Sequence, residues 1–129
     1  MTLLFKNDNP RSLNQTSIYV SNDSIRVDWM EYWESIREEY SHDDELAYTI
    51  KSEDYGKLLT AIKDKYPDYK PNELECKNFW WNEWDTFNDL TKELCMAIKA
   101  VFTKDNAYRH IDWLCWDYKI ATYDRVYDF

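Results

Sequence analysis

The chain has 129 residues, enough for one domain with one sizeable core. Its 25 acidic residues against 16 basic ones leave a formal charge of −9, which repels nucleic acid and anionic membranes and favours basic partners. Aromatic residues make up 18% of it, seven of them Trp, and glycine occurs once, which excludes a disordered or low-complexity chain.

The N-terminal MTLLFKNDNPRS is too short in apolar residues for a secretory signal. No run approaches the roughly 20 apolar residues of a membrane helix, so a cytoplasmic location is expected. Residues 3–5 read as a short edge strand. Residues 16–29 read as a hairpin: Ile18 and Val20, then Ile25, Val27 and Trp29, alternate with polar residues at the period of a half-buried strand. Between them Asn22-Asp23 is a good turn pair, because both residues tolerate positive φ and bond their own backbone. Tyr32, Trp33, Ile36 and Tyr40 have helical spacing over residues 31–40, and polar residues 41–45 interrupt it. Residues 46–50 read as a third main strand.

Residues 51–66 are the clearest helix, with Ser52 as N-cap and Glu53 and Asp54 in the first turn, where the helix dipole favours negative charge. Tyr55, Leu58, Leu59, Ile62 and Tyr66 make its apolar face, and Pro67 stops it. Gly56 inside it is expected at a close approach. After a connector, residues 78–102 read as a second, longer helix. Trp80, Trp84, Phe87, Leu94, Ile98 and Val101 form its stripe, with Leu90 and Cys95 alongside. Phe79 and Trp81 fall off that stripe and are expected at the surface. In the last twenty residues, Ile111, Leu114, Cys115 and Tyr118 have helical spacing, whereas Trp113, Cys115 and residues 126–129 look strand-like, and at least one late strand is expected to join the sheet. The whole predicts a single α+β domain over residues 1–129: a small antiparallel sheet, the N-terminal hairpin plus additional strands, packed against two main helices.

Reactive chemistry is sparse. One glycine excludes a Gly-rich phosphate loop, and no hydrolase, zincin or calcium-loop pattern is present. Cys76, Cys95 and Cys115 are odd in number and lack CxxC spacing, which suits free buried thiols. A Cys115–His110 dyad needs only a thiol and a base, but a spacing of five residues does not argue for one. Asp43-Asp44-Glu45 reads as a solvated loop rather than a cation site, because adjacent side chains rarely converge on one ion. No catalytic residue, metal site or cofactor is assigned, and a non-enzymatic role is expected.

The placement of charge is more informative. Residues 28–45 carry eight acids (Asp28, Glu31, Glu34, Glu38, Glu39, Asp43, Asp44 and Glu45) against Arg37 alone, which is −7 of the total −9. Trp29, Tyr32, Trp33 and Tyr40 are interleaved with them. Rings supply binding hot spots, and carboxylates supply steering and orientation toward a basic protein. The candidate partner-binding residues are therefore Trp33, Glu34, Glu38, Glu39, Tyr40, Asp43, Asp44 and Glu45.

The segments LFKNDNPRSLNQTSIYVSNDSIRVDWMEYWESI and LAYTIKSEDYGKLLTAIKDKY, within residues 3–66, resemble the immunity proteins of contact-dependent inhibition and related polymorphic-toxin systems. The resemblance lies in the order hairpin, acidic aromatic segment, strand and Leu-rich helix, and in the phrase VDWM. It implies a bacterial α+β protein that binds one cognate toxin in the cytoplasm and blocks it without chemistry of its own. Such toxins are often nucleases, which are basic because they bind a polyanion. A nucleic-acid mimic of phage or plasmid type, blocking a defence nuclease, and a small enzyme using carboxylates or Cys115 are the alternative readings.

Overall fold

The computed structural model describes residues 2–9, 14–31, 44–102 and 107–128. Five strands form one antiparallel sheet whose spatial order is the chain order: β1 (Thr2–Asn9), β2 (Asn14–Val20), β3 (Ser24–Glu31), β4 (Asp44–Lys51) and β5 (Tyr123–Asp128). Between β4 and β5 the chain forms the helices α1 (Tyr55–Lys65), α2 (Glu73–Phe79), α3 (Asp89–Val101) and α4 (Ala107–Asp117). The fold is α+β, with the helical layer inserted before the last strand.

The period-two alternation of the hairpin sets the buried face. Ile18 lies opposite Val27, which lies opposite Tyr48; Val20, Ile25 and Ile50 make the next row. All six are buried and share one core with Leu58, Leu59 and Ile62 of α1, Leu94 and Ile98 of α3, and Ile111 and Leu114 of α4. Trp29 lies on the same face, one row on, and is half-buried, with its ring 6.4 Å from that of Tyr108. On the opposite face Arg26 donates to the Asp28 carboxylate at 2.6 Å.

The first helix starts later than its sequence indicates. Ser52 is not the N-cap: Ser52–Asp54 forms a 3₁₀ turn, and Asp54 occupies the cap position without a side-chain cap bond. The Ser52 N–H is instead drawn to the Asp23 carbonyl in the β2–β3 turn, at 2.9 Å. Gly56 marks no close approach, since a Cβ there meets nothing within 4 Å.

The expected helix over residues 78–102 is broken. α2 begins earlier, capped by Asn72, which accepts from Glu75 N–H at 3.0 Å, and it ends as Trp80 leaves helical geometry. A 3₁₀ turn, Trp84–Thr86, follows, and α3 starts afresh behind Asn88, whose side chain accepts from Thr91 N–H at 2.8 Å. The reason is tertiary. Asn22 in the β2–β3 turn donates to the Thr86 carbonyl at 2.8 Å and accepts from Asn88 N–H at 2.9 Å, so it satisfies the backbone groups the break exposes. Trp80, Trp84, Phe87, Leu94, Cys95 and Ile98 are nevertheless buried, because the break keeps their side chains on one side. Leu90 is exposed at its edge.

Both readings of the last twenty residues hold in part. Ile111, Leu114 and Cys115 are the buried stripe of α4, whereas Trp113 lies on its exposed side, in a helix rather than a strand. Lys119 then turns the chain with φ of 56°. Ile120 N–H bonds the Cys115 carbonyl and Lys119 N–H the Trp116 carbonyl, a Schellman closure made without glycine. β5 then pairs with β4.

Truncating Leu59 to Ala is expected to cost about 2–5 kcal/mol, read as a fall in denaturant midpoint at constant slope. Two backbone substitutions are expected to act the other way. Gly56→Ala fills open space in a helix, and Lys119→Gly relieves a left-handed residue, so each should raise stability by about 1 kcal/mol. Thermal melts of the single variants check both signs.

Candidate partner-binding site

Among the described residues, no group of three or more His, Cys, Asp or Glu side chains is placed to hold a metal. His110 is exposed on α4 with its ring edge-on to Trp113 at 5.6 Å, while Cys115 is buried in the core, so the two do not face a common surface. All three cysteines are free and buried. Burial pushes the Cys76 thiol up to about 11 despite the opposing pull of Lys99. It pushes Cys95 to about 12, with Cys76 adding to the effect. Raised in this way, Cys76 and Cys95 stay protonated at neutral pH, where the thiol is a weaker nucleophile than the thiolate. The Tyr118 hydroxyl donates to Asp64 at 2.5 Å, and this bond raises the phenol above its ordinary value.

Trp33, Glu34, Glu38, Glu39, Tyr40 and Asp43 lie outside the described residues, as does Tyr32. Asp44 and Glu45 open β4, paired with Glu31 and Met30 of β3. The register gives them company. In the last two rows at this end of the sheet stand Asp8 and Asn9 of β1, Asn14 and Gln15 of β2, Met30 and Glu31 of β3, Asp44 and Glu45 of β4, and Asp128 of β5. Five of these nine positions are acidic and none is basic. Glu31 and Asp44, the described residues on either side of positions 32–43, are therefore paired with each other at the acidic end of the sheet. Two members of the acidic aromatic segment have other duties: Asp28 is neutralised by Arg26, and Trp29 packs on the core.

The opposite end of the sheet carries exposed rings instead. Phe79 is 55% and Trp81 75% exposed, as their positions off the buried stripe indicate, and Leu74 is exposed beside them in sequence. Lys99 lies over the Phe79 ring at 4.5 Å and faces Glu75 at 3.9 Å. The indole N–H of buried Trp80 donates to the Leu3 carbonyl at 2.8 Å, which ties this region to β1 near the β2–β3 turn.

A second pair of rings, Trp113 and Trp116 of α4, is 56% and 85% exposed. Sequence reasoning missed it. The signal was there: these residues fall opposite the stripe of Ile111, Leu114 and Cys115 once the segment is read at helical period. Beside them, two open grooves of about 480 and 320 Å³ share Lys65, Tyr66 and His110.

Comparison of the chain with protein-family models, curated proteins and solved structures finds no match. No helix among the described residues is long and apolar enough to cross a membrane.

The thiols set a pH dependence. Above their ordinary value of 9.0, the unfolded chain loses protons that the folded core retains. Their contribution to stability is complete below about pH 9 and is lost as pH rises toward about 11 and 12. Denaturant midpoints measured from pH 7 upward should hold level and then fall, and the fall should be shallower in Cys95→Ala. Alkylation at neutral pH should modify all three cysteines only after denaturation.

Proposed function

We propose that this protein is a cytoplasmic inhibitor of the toxin-immunity type, which binds a basic toxin domain, with a nuclease as the favoured class, and blocks it without catalysis. The observation that carries the reading is the acidic end of the sheet. Asp8, Glu31, Asp44, Glu45 and Asp128 crowd two rows there without a basic residue. In sequence, the stretch between Glu31 and Asp44 holds Glu34, Glu38, Glu39 and Asp43 against Arg37, with Trp33 and Tyr40 among them.

The division of labour follows from physics. Carboxylates gathered at one end raise the encounter rate with a cationic surface and orient it. Glu34, Glu38, Glu39, Asp43, Asp44 and Glu45 take that part. Trp33 and Tyr40 are the anchors, because an aromatic ring buried in a complex removes much apolar area at little entropic cost.

The test uses the partner recovered by pull-down from the native strain. Asp43→Asn, Asp44→Asn and Glu45→Gln together remove three charges while nearly preserving shape. The association rate should fall about tenfold at low salt, and its salt dependence should flatten. Trp33→Ala should instead raise the dissociation rate about thirtyfold, the equivalent of about 2 kcal/mol. Wild-type kinetics in both variants, each shown by circular dichroism to be folded, sinks the assignment of this surface. Binding that competes with double-stranded DNA for a defence nuclease redirects the reading to nucleic-acid mimicry.

A further inference from the structure

We infer that the segment from α2 through the following 3₁₀ turn is a second docking face, built for a Lys/Arg-rich protein surface. The inference takes its class of partner from the reading above, but it concerns a different surface and stands on different residues.

Trp81 is the anchor. It is 75% exposed, yet its neighbours Trp80 and Trp84 are buried, with their rings 6.3 Å apart and nearly parallel. The turn that presents it is fixed. Trp84 N–H and Glu83 N–H both bond the Trp80 carbonyl, at 2.7 and 3.0 Å, and the Trp80 indole is held by Leu3. A large ring on a backbone pinned at both sides loses little freedom when a partner covers it. Phe79 and Leu74 extend the exposed apolar surface.

Charge names the occupant. Residues 73–89 hold Glu73, Glu75, Glu83, Asp85 and Asp89 against Lys77, and Lys99 and Lys92 of α3 lie over the Phe79 and Trp84 rings, so the face carries five acids to three bases, or −2. Glu75 faces Lys99, and among the described residues Glu73, Glu83, Asp85 and Asp89 form no ion pair. This sign repels nucleic acid and anionic lipid and attracts guanidinium and ammonium groups. A guanidinium also stacks on an exposed indole. The α4 rings lack this selectivity, because Arg109 and Lys119 balance Asp112 and Asp117 around Trp113 and Trp116. They serve as an internal control.

The probe is a deca-arginine peptide titrated into the ¹⁵N-labelled full chain, with the seven indole N–H resonances followed and Trp81 assigned through Trp81→Phe. The Trp81 indole should move, with a response that weakens as salt is added, and the Trp116 indole should stay. Trp81→Ala should weaken binding roughly fivefold. Glu83→Gln with Asp85→Asn should weaken it and flatten its salt dependence. Trp81→Phe, which keeps a ring, should retain most of the affinity. An unmoved Trp81 indole, an equal response at Trp116, or the same response to a deca-glutamate peptide overturns the proposal. The pair Asp44→Asn with Glu45→Gln separates the two faces. If the Trp81 response survives in that variant the face is independent, and if it is lost the proposal fails. A toxin-binding result at the other end of the sheet, of either sign, leaves this outcome unchanged.

Discussion

The side chain of Asn22 reaches from the β2–β3 turn to the break between α2 and α3. There it occupies the Thr86 carbonyl and the Asn88 N–H together. A backbone break at the edge of a core leaves polar groups that must find partners, at a cost of about 1–3 kcal/mol for each one left unmet. The same turn receives two more bonds, from Ser52 N–H to the Asp23 carbonyl and from the Tyr55 hydroxyl to the Ser21 carbonyl. One four-residue turn thus positions the start of α1, the end of the 3₁₀ segment and the cap of α3.

Aromatic residues supply this protein with both bulk and wiring. Tyr48 is fully buried, and its hydroxyl donates to the Tyr108 carbonyl at 2.7 Å, which joins β4 to the start of α4. Tyr55 does the same between α1 and the hairpin, and Trp80 between the α2 region and β1. Each ring fills core volume and spends its single polar group on a backbone carbonyl of a distant element. The abundance of Tyr and Trp is to that extent architectural, and among the described residues the exposed indoles of Trp81, Trp113 and Trp116 make no such bond.

The hairpin, the third strand and the core face of α1 were legible because each depends on a local period that burial then enforces. Ile18, Val20, Ile25 and Val27 could not be shifted by one residue without emptying the core. The buried identities of Trp80, Trp84 and Phe87 were legible too, although the single helix drawn through them was wrong. A stripe at i, i+4, i+7 constrains which side faces inward, and says little about whether the backbone is continuous. What broke it was a bond from Asn22, more than sixty residues away in sequence, and no window of the chain contains that information. Ser52 failed as a cap because residues 52–54 form a 3₁₀ turn and the helix starts behind Asp54, an offset of two residues that no local pattern marks. The acidic end of the sheet was half legible. The segment 28–45 stood out by composition, but the contributions of Asp8 and Asp128 required the register of the outer strands.

The position of β5 has a consequence for how the sheet is assembled. Val20 meets Ile25 across five residues (25 − 20), whereas Thr49 meets Tyr123 across seventy-four (123 − 49). Closing the longer loop costs about 2 kcal/mol more in chain entropy, before any contact rewards it. Chain entropy therefore favours pairing among β1 to β4 ahead of β5, and without β5 one row of β4 N–H and C=O groups is unpaired. Pairing with β5 covers that row of β4 and makes β5 the outer strand of the sheet, opposite β1.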